Sequence, residues 1–361
     1  MALPLRGAMH LHDPSGGREH LQNKVISRVS DTALKADPIR VVRAVRLAVE
    51  LGFRIEPDTR KGLRESAPDV EKVSAERIRD ELLRCLGGPN PTSALRALDR
   101  LGVLLRVLPE CSADKSESAL GVTRRLQGLL SVLRPRHDVD AASEFALGLV
   151  AARVGRFRRE LSDYLSKSVV STRKQNQLLY LGALLRIVGD PTKVQEACRT
   201  LRLSKAEINL ITAMVQSQGL PVTNPQNENG SNGSGGPGEV GLPLRTIHRF
   251  YRTNGVAGVE VCLISLAEVL AAQGPELQQM EWAQNVDAVV ELFDAYFNRF
   301  SEVIAPPRLI DGRELMQELG ISPGARVGSF LSEISEAQAC GEVTNRSQAI
   351  ELAHKLYKLY K

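Results

Sequence analysis

From Asp37 to Leu220, and again from Leu244 to Lys361, apolar residues recur at the three-and-four spacing of amphipathic helices, with no run of alternating β-branched residues between them. A chain patterned this way folds as helices packed on helices. The stretch separating them, Pro221 to Pro243, reads PVTNPQNENGSNGSGGPGEVGLP. It has almost nothing to bury, so a flexible linker is expected there. Only the first 36 residues depart from the helical pattern. Ala2-Leu-Pro-Leu5, His10-Leu-His-Asp13 and Lys24-Val-Ile-Ser-Arg-Val29 are short extended-looking pieces, with turn chemistry at Asp13-Pro-Ser-Gly-Gly17. Three small strands and a short helix cannot bury a core unaided, so this segment reads as the edge of a larger α/β unit.

The chain has 361 residues, more than the roughly 250–300 that one hydrophobic core supports, so at least two packing units are expected. No run approaches 18 consecutive apolar residues, and the first residues lack the apolar stretch of a signal peptide. Neither membrane spanning nor export is expected, and the expected location is the cytoplasm. Cys85, Cys111, Cys198, Cys262 and Cys340 are odd in number and widely spaced, which fits neither a disulfide framework nor a zinc site. Aromatic residues make up 4%, with one tryptophan, Trp282, too few for the base-stacking platforms of single-strand binders.

Charge is unevenly divided. Residues 1–220 carry a net charge of +11, while residues 221–361 carry −6. Such asymmetry implies that the first part faces a polyanion. Within it, the helix after Asp37 is well specified: Asp37 is a preferred N-cap residue and Pro38 a preferred first helical residue. Ile39, Val42, Ala44, Val45, Leu47, Ala48 and Leu51 supply an apolar face, and Gly52 is placed to close the helix. Arg40, Arg43 and Arg46 recur every three residues and form a basic stripe beside that face. A second helix begins at Ser74 and stops at Gly87-Gly88-Pro89, and a third covers Thr92 to Gly102. His137-Asp138-Val-Asp140 contains an Asp-x-Asp but no preceding glycine turn, so its carboxylates read as N-terminal charges of the next helix.

The string Asp13-Pro-Ser-Gly-Gly-Arg-Glu-His-Leu-Gln-Asn-Lys24, followed by Ala36-Asp-Pro-Ile-Arg-Val-Val-Arg-Ala-Val-Arg-Leu-Ala-Val-Glu-Leu-Gly-Phe53, resembles the tRNA nucleotidyltransferase (CCA-adding enzyme)/bacterial poly(A) polymerase family. Ser74-Ala-Glu-Arg-Ile-Arg-Asp-Glu-Leu82 and Ala94-Leu-Arg-Ala-Leu-Asp-Arg-Leu-Gly102 are similar to its RNA-binding neck. Pro306-Pro-Arg-Leu-Ile-Asp-Gly-Arg-Glu-Leu-Met316, Pro323-Gly-Ala-Arg-Val-Gly328 and Gly341-Glu-Val-Thr344 are similar to its tail. The resemblance implies a mostly α protein: a head remnant of α/β type over 1–36, a neck over 37–110, a helical body over 111–220, a linker over 221–243 and a helical tail over 244–361. It also implies nucleotide addition to RNA 3′ ends, with tRNA or another RNA 3′ end as partner and Mg²⁺ with CTP or ATP as cofactor and substrates.

The same resemblance assigns nucleotide binding to Asp37 and Arg40, whose side chains match the base-reading Asp-x-x-Arg pair, with Arg43 and Arg46 beside them for phosphate or the neck backbone. An N-cap with an i,i+3 ion pair explains Asp37 and Arg40 without a ligand. The family carries glutamate where this chain has Ala36. Its paired metal-binding carboxylates follow a Gly-Ser or Gly-Gly turn well before the Asp13 equivalent, so this chain is expected to lack most of the catalytic head and to offer no catalytic or metal-ligating residue. On that reading it transfers no nucleotide by itself, and a separately encoded head is one way to complete it. Relatives also carry a phosphohydrolase signature Leu-Leu-His-Asp in the body. Here Leu184-Leu-Arg186-Ile187 stands in its place, and arginine and isoleucine cannot replace imidazole and carboxylate as metal ligands. A degenerate, inactive hydrolase-like body is therefore the remaining alternative.

Overall fold

A computed structural model describes residues 11–111, 113–136, 140, 143–221 and 241–359. The expected strand at Ala2–Leu5, Asp138, and linker residues 222–240 lie outside them. Helix α1 (Gly17–Gln22) is held by Asp13, whose carboxylate accepts from the backbone N–H groups of Gly17 and Arg18, both at 2.8 Å. Strand β1 (Val25–Ile26) follows, then α2 (Ala33–Ala36), α3 (Arg40–Leu51), β2 (Arg54–Ile55) and α4 (Pro57–Ser66). β1 and β2 pair in parallel, Val25 opposite Arg54 and Ile26 opposite Ile55. This pairing fastens the N-terminal segment to the neck. Ser27 and Thr59 reinforce it by donating their hydroxyls to one Glu56 oxygen at 2.6 and 3.0 Å.

The neck continues through α5 (Ala75–Leu86), α6 (Pro91–Arg100) and α7 (Leu104–Val107). Gly52 closes α3 as expected, with φ of 66° and its N–H bonded to the Ala48 carbonyl. The start of α3 differs from expectation. Asp37 does not cap it. Its backbone is extended, and Pro38 and Ile39 form a turn in which Arg40 N–H bonds the Asp37 carbonyl at 3.1 Å. The first regular helical bond comes later, from Arg43 N–H to the Ile39 carbonyl at 3.0 Å. That offset frees the Asp37 carboxylate to reach another helix. Leu51, expected on the buried face, is exposed at the helix end. α6 begins one residue before Thr92, capped by the Asn90 side chain accepting from Ser93 N–H at 3.0 Å.

The body is built from α8 (Ala113–Val132), α9 (Phe145–Arg153), α10 (Arg158–Ser166), α11 (Gln175–Leu185), α12 (Pro191–Thr200) and α13 (Lys205–Gln216). A hairpin of β3 (Ser168–Val170) and β4 (Arg173–Lys174) joins α10 to α11. β2, β3 and β4 correct the expectation of helices alone after Asp37. At two or three residues each, they are too short to print an alternating pattern. α11 is buried along most of its length. Arg186, directly after it, donates to the Met214 and Ser217 carbonyls and to Glu268, so it works as a structural clamp.

Beyond the linker come α14 (Leu244–Asn254), α15 (Gly258–Gln273), α16 (Gln279–Phe297), α17 (Gly312–Leu319), α18 (Ala325–Ala339) and α19 (Arg346–Leu359). One continuous core runs from Leu34 to Val303 and includes α14 to α16, with α15 packed on α8. A second, smaller core holds Ile310, Leu315, Phe330, Ile334 and Ala353. The break between the two buried clusters falls near residue 305 and not at the Gly/Asn-rich stretch. The helical stretch Leu244–Gln273 is long and apolar enough to cross a bilayer, yet 67% of its apolar window is buried inside the protein, as befits a core helix.

Glu336 on α18 latches the second core to the first. It is 1% exposed and accepts from Arg249 at 2.6 and 2.9 Å, with Arg245 and Arg252 within 3.6 Å. Burial works against ionising this carboxyl, but the Arg249 hydrogen bonds and the three guanidinium charges hold it below its ordinary pKa. Because these arginines are half-exposed, Glu336→Ala is expected to weaken tail docking by about 1–3 kcal/mol. Limited proteolysis should then cut the 305–312 segment faster while the main core melts at an unchanged temperature.

A second buried acid titrates differently. Glu260 is fully enclosed and accepts from Tyr164 at 2.9 and 3.0 Å and from Gln175. Burial raises its pKa from 4.5 to about 7. Between those values the unfolded chain has lost the proton that the folded chain retains, so stability falls as pH rises through this window. The loss amounts to about 3 kcal/mol by pH 8. Glu260→Gln should remove that slope and raise stability at pH 8, as measured by urea unfolding at pH 5, 6.5 and 8.

Candidate nucleic-acid interface

Three neck segments converge on one solvent-facing edge. Asp37 leaves the end of α2, Arg40 opens α3, and Arg77 lies in the first turn of α5. One Arg77 Nη donates to both Asp37 oxygens at 2.9 Å. Arg40 stands 3.8 Å from the same carboxylate and donates its Nη1 to the Ala33 carbonyl at 3.2 Å. The Arg77 hydrogen bond, joined by the charges of Arg77, Arg40 and Arg43, holds the Asp37 carboxyl below its ordinary pKa. At neutral pH it is therefore an ionised acceptor between two guanidinium groups whose side chains are 44% and 50% exposed. A ligand edge offering both donors and acceptors matches such an arrangement.

Arg43 and Arg46 turn the other way. Arg43 Nε reaches one Glu81 oxygen at 3.0 Å and Arg46 Nε reaches the other at 2.7 Å. Arg46 also binds Glu50 at 2.7 Å, and Arg84 approaches Glu81 at 3.5 Å. The Glu81 side chain is 4% exposed. The stripe expected from the sequence is thus split: Arg40 faces outward beside Asp37, while Arg46 is taken up by two carboxylates that fix α3 on α5. Sequence reasoning missed Arg77, although it lies inside the neck motif Ser74-Ala-Glu-Arg77. Its distance of 40 residues from Asp37 left no local spacing to read. Asp140 lies in a turn. No cluster of three or more His, Cys, Asp or Glu side chains able to hold a metal occurs among the described residues.

The neck is also where a family model matches: residues 52–115 correspond to the probable RNA and SrmB-binding site of polymerase A. Over 96% of its length the chain is 28% identical to the A-adding tRNA nucleotidyltransferase of Deinococcus radiodurans, covering 75% of that protein. It is 26% identical over the same share to the CC-adding tRNA nucleotidyltransferase of Synechocystis, covering 71% of it. A shorter match, 34% identical, spans 49% of the chain and 50% of the CCA-adding enzyme of Coxiella burnetii. Among solved structures, Thermotoga maritima CCA-adding enzyme complexed with tRNA superposes with a TM-score of 0.54 at 18% identity, over 96% of this chain and 67% of that one. A CCA-adding enzyme complexed with ATP gives 0.57 at 19%, over 96% and 66%. The mostly helical fold is therefore one that this chain shares with CCA-adding enzymes. Over nearly its whole length the chain is thus similar to tRNA nucleotidyltransferases, and its residues 52–115 match the RNA-binding segment of polymerase A.

Proposed function

We propose that this chain holds RNA and selects nucleotides for tRNA 3′-end addition, with the neck edge of Asp37, Arg40 and Arg77 reading the incoming CTP or ATP. The observation that carries this reading is the ionised Asp37 carboxylate held between two exposed guanidinium groups. Cytosine and adenine both present an exocyclic amine beside a ring nitrogen. The amine donates to Asp37, and the ring nitrogen accepts from Arg40. Arg77 holds the Asp37 carboxylate in place by donating to both of its oxygens. Arg43, 41% exposed beyond its contact with Glu81, can add a phosphate contact, whereas Arg46 serves the neck itself. Nucleotidyl transfer requires metal-bound carboxylates, and this reading gives that role to no residue of the neck edge. No transfer step is therefore assigned to this chain; a catalytic head, in the same polypeptide or a separate one, would provide it. The expected setting is the cytoplasm.

RNA binding rests on the positive surplus of residues 1–220. Neutralising about four phosphates gives a salt slope near −3.6, hence roughly a hundredfold loss of affinity between 50 and 200 mM salt. Titrating the full chain with a tRNA acceptor-stem hairpin across that range tests the reading. Affinity that is flat with salt would refute it.

A further inference from the structure

A second polar cleft lies where the neck meets the body. It has a volume of about 180 Å³ and is lined by Leu130, Leu133 and Arg134 at the end of α8, Leu161 and Leu165 of α10, Lys174, Asn176 and Tyr180 around the start of α11, and Gly88 of the turn that closes α5. Four leucines make apolar walls. Against them, two side-chain oxygens are buried without hydrogen-bond partners: the Tyr180 hydroxyl, on a residue 2% exposed, and Asn176 Oδ1. Orphaned polar atoms in a buried site destabilise the fold unless something else supplies their partners. At the mouth stand two exposed cations, Arg134 and Lys174, whose side chains form no ion pair among the described residues.

We propose that this cleft is a nucleotide-binding site separate from the neck edge, taking a nucleoside 5′-phosphate unit with its base among the leucines and its phosphate at Arg134 and Lys174. The polar pattern fits that ligand. Asn176 Oδ1 only accepts, so it takes an exocyclic amine, and the Tyr180 hydroxyl donates to a ring nitrogen beside it. Burial raises the Tyr180 pKa, which keeps that proton in place at neutral pH. The volume is below the ~300 Å³ where sites for drug-sized ligands begin, so it holds a base while the sugar and phosphate remain at the mouth. Along α5, the rise from Arg77 to Leu86 is about 14 Å, and Gly88 lies beyond that helix end, so one nucleoside 5′-phosphate unit does not occupy both places. The same unit can come from a free nucleotide or from an unpaired residue of an RNA lying along the neck.

Photo-crosslinking of the full chain with 8-azidoadenosine 5′-monophosphate, followed by peptide mapping, tests this. Label is expected on peptides covering 130–134, 161–166 and 174–180, and excess AMP should compete it away. Arg134→Gln combined with Lys174→Gln, both on the surface, should weaken this labelling at least tenfold with an unchanged melting temperature. Tyr180→Phe should weaken it severalfold. Competition by a hairpin with a single-stranded 3′ overhang, but not by its blunt counterpart, would identify the RNA as the source; competition by AMP alone would identify the free nucleotide. Label confined to residues 33–46 and 75–84 would overturn the cleft site and leave the neck reading intact. Label in the cleft but absent from the neck would do the reverse, and label at neither place would overturn both.

Discussion

Replacing Glu81 by alanine is expected to destabilise the protein by about 3 kcal/mol, the low end of the range for removing one partner of a buried pair. The cost comes from what remains. Arg46, 15% exposed, loses its Nε partner at 2.7 Å and keeps only Glu50, while Arg43 loses its main contact. Arg84 is 59% exposed and returns to water at little cost. The order of effects should therefore run Glu81→Ala, then Arg46→Ala, then Arg43→Ala, with the last below about 1 kcal/mol. Glu81→Gln should lie between the first two, because the amide keeps one acceptor but leaves two arginines sharing it. Denaturant unfolding of the four variants checks the order. A Glu81→Ala cost below 1 kcal/mol would mean that α3 and α5 are held by their apolar faces alone.

The parts of this molecule legible in its sequence are those governed by neighbours along the chain. Gly52 at the end of α3 and the Gly87-Gly88-Pro89 stop after α5 follow from local backbone rules, and the structure places both helix ends there. The family resemblance was legible for the same reason, since its motifs are contiguous strings. What stayed hidden depends on partners far away in sequence. Arg77 finds Asp37 across 40 positions, and Glu81 gathers three arginines from two helices. The Gly/Asn-rich stretch marked a break in sequence, yet α14 to α16 beyond it return to the main core. Composition shows where a chain need not be packed, but it does not show which core the next helix joins. The failed N-cap at Asp37 has a similar cause: Asp-Pro permits a cap, and an arginine on α5 made a different use of the carboxylate.

Asp37→Asn is expected to abolish most discrimination between CTP and UTP while leaving stability almost unchanged. Asp37 makes no capping bond to α3, so its amide replacement forfeits no helix end, and it retains an oxygen for Arg77. The loss is to the ligand. A carboxylate accepts only, favouring bases with an exocyclic amine, whereas an amide can also donate and so accommodates the carbonyl of uracil. A hydrogen bond to a charged group contributes about 1.5–3 kcal/mol, which is a preference of roughly ten- to a hundredfold that should shrink to within a fewfold. Arg40→Lys should weaken CTP and ATP together, because a single ammonium cannot reproduce the planar fork. Arg77→Gln should lie between them: it removes the group that holds Asp37 in place and restores the carboxyl toward its ordinary pKa. Nucleotide binding by calorimetry, run beside thermal melting for each variant, separates the roles. If all three variants bind CTP, ATP and UTP as the unaltered chain does, the edge is an ion-pair network joining α2, α3 and α5 and reads no base.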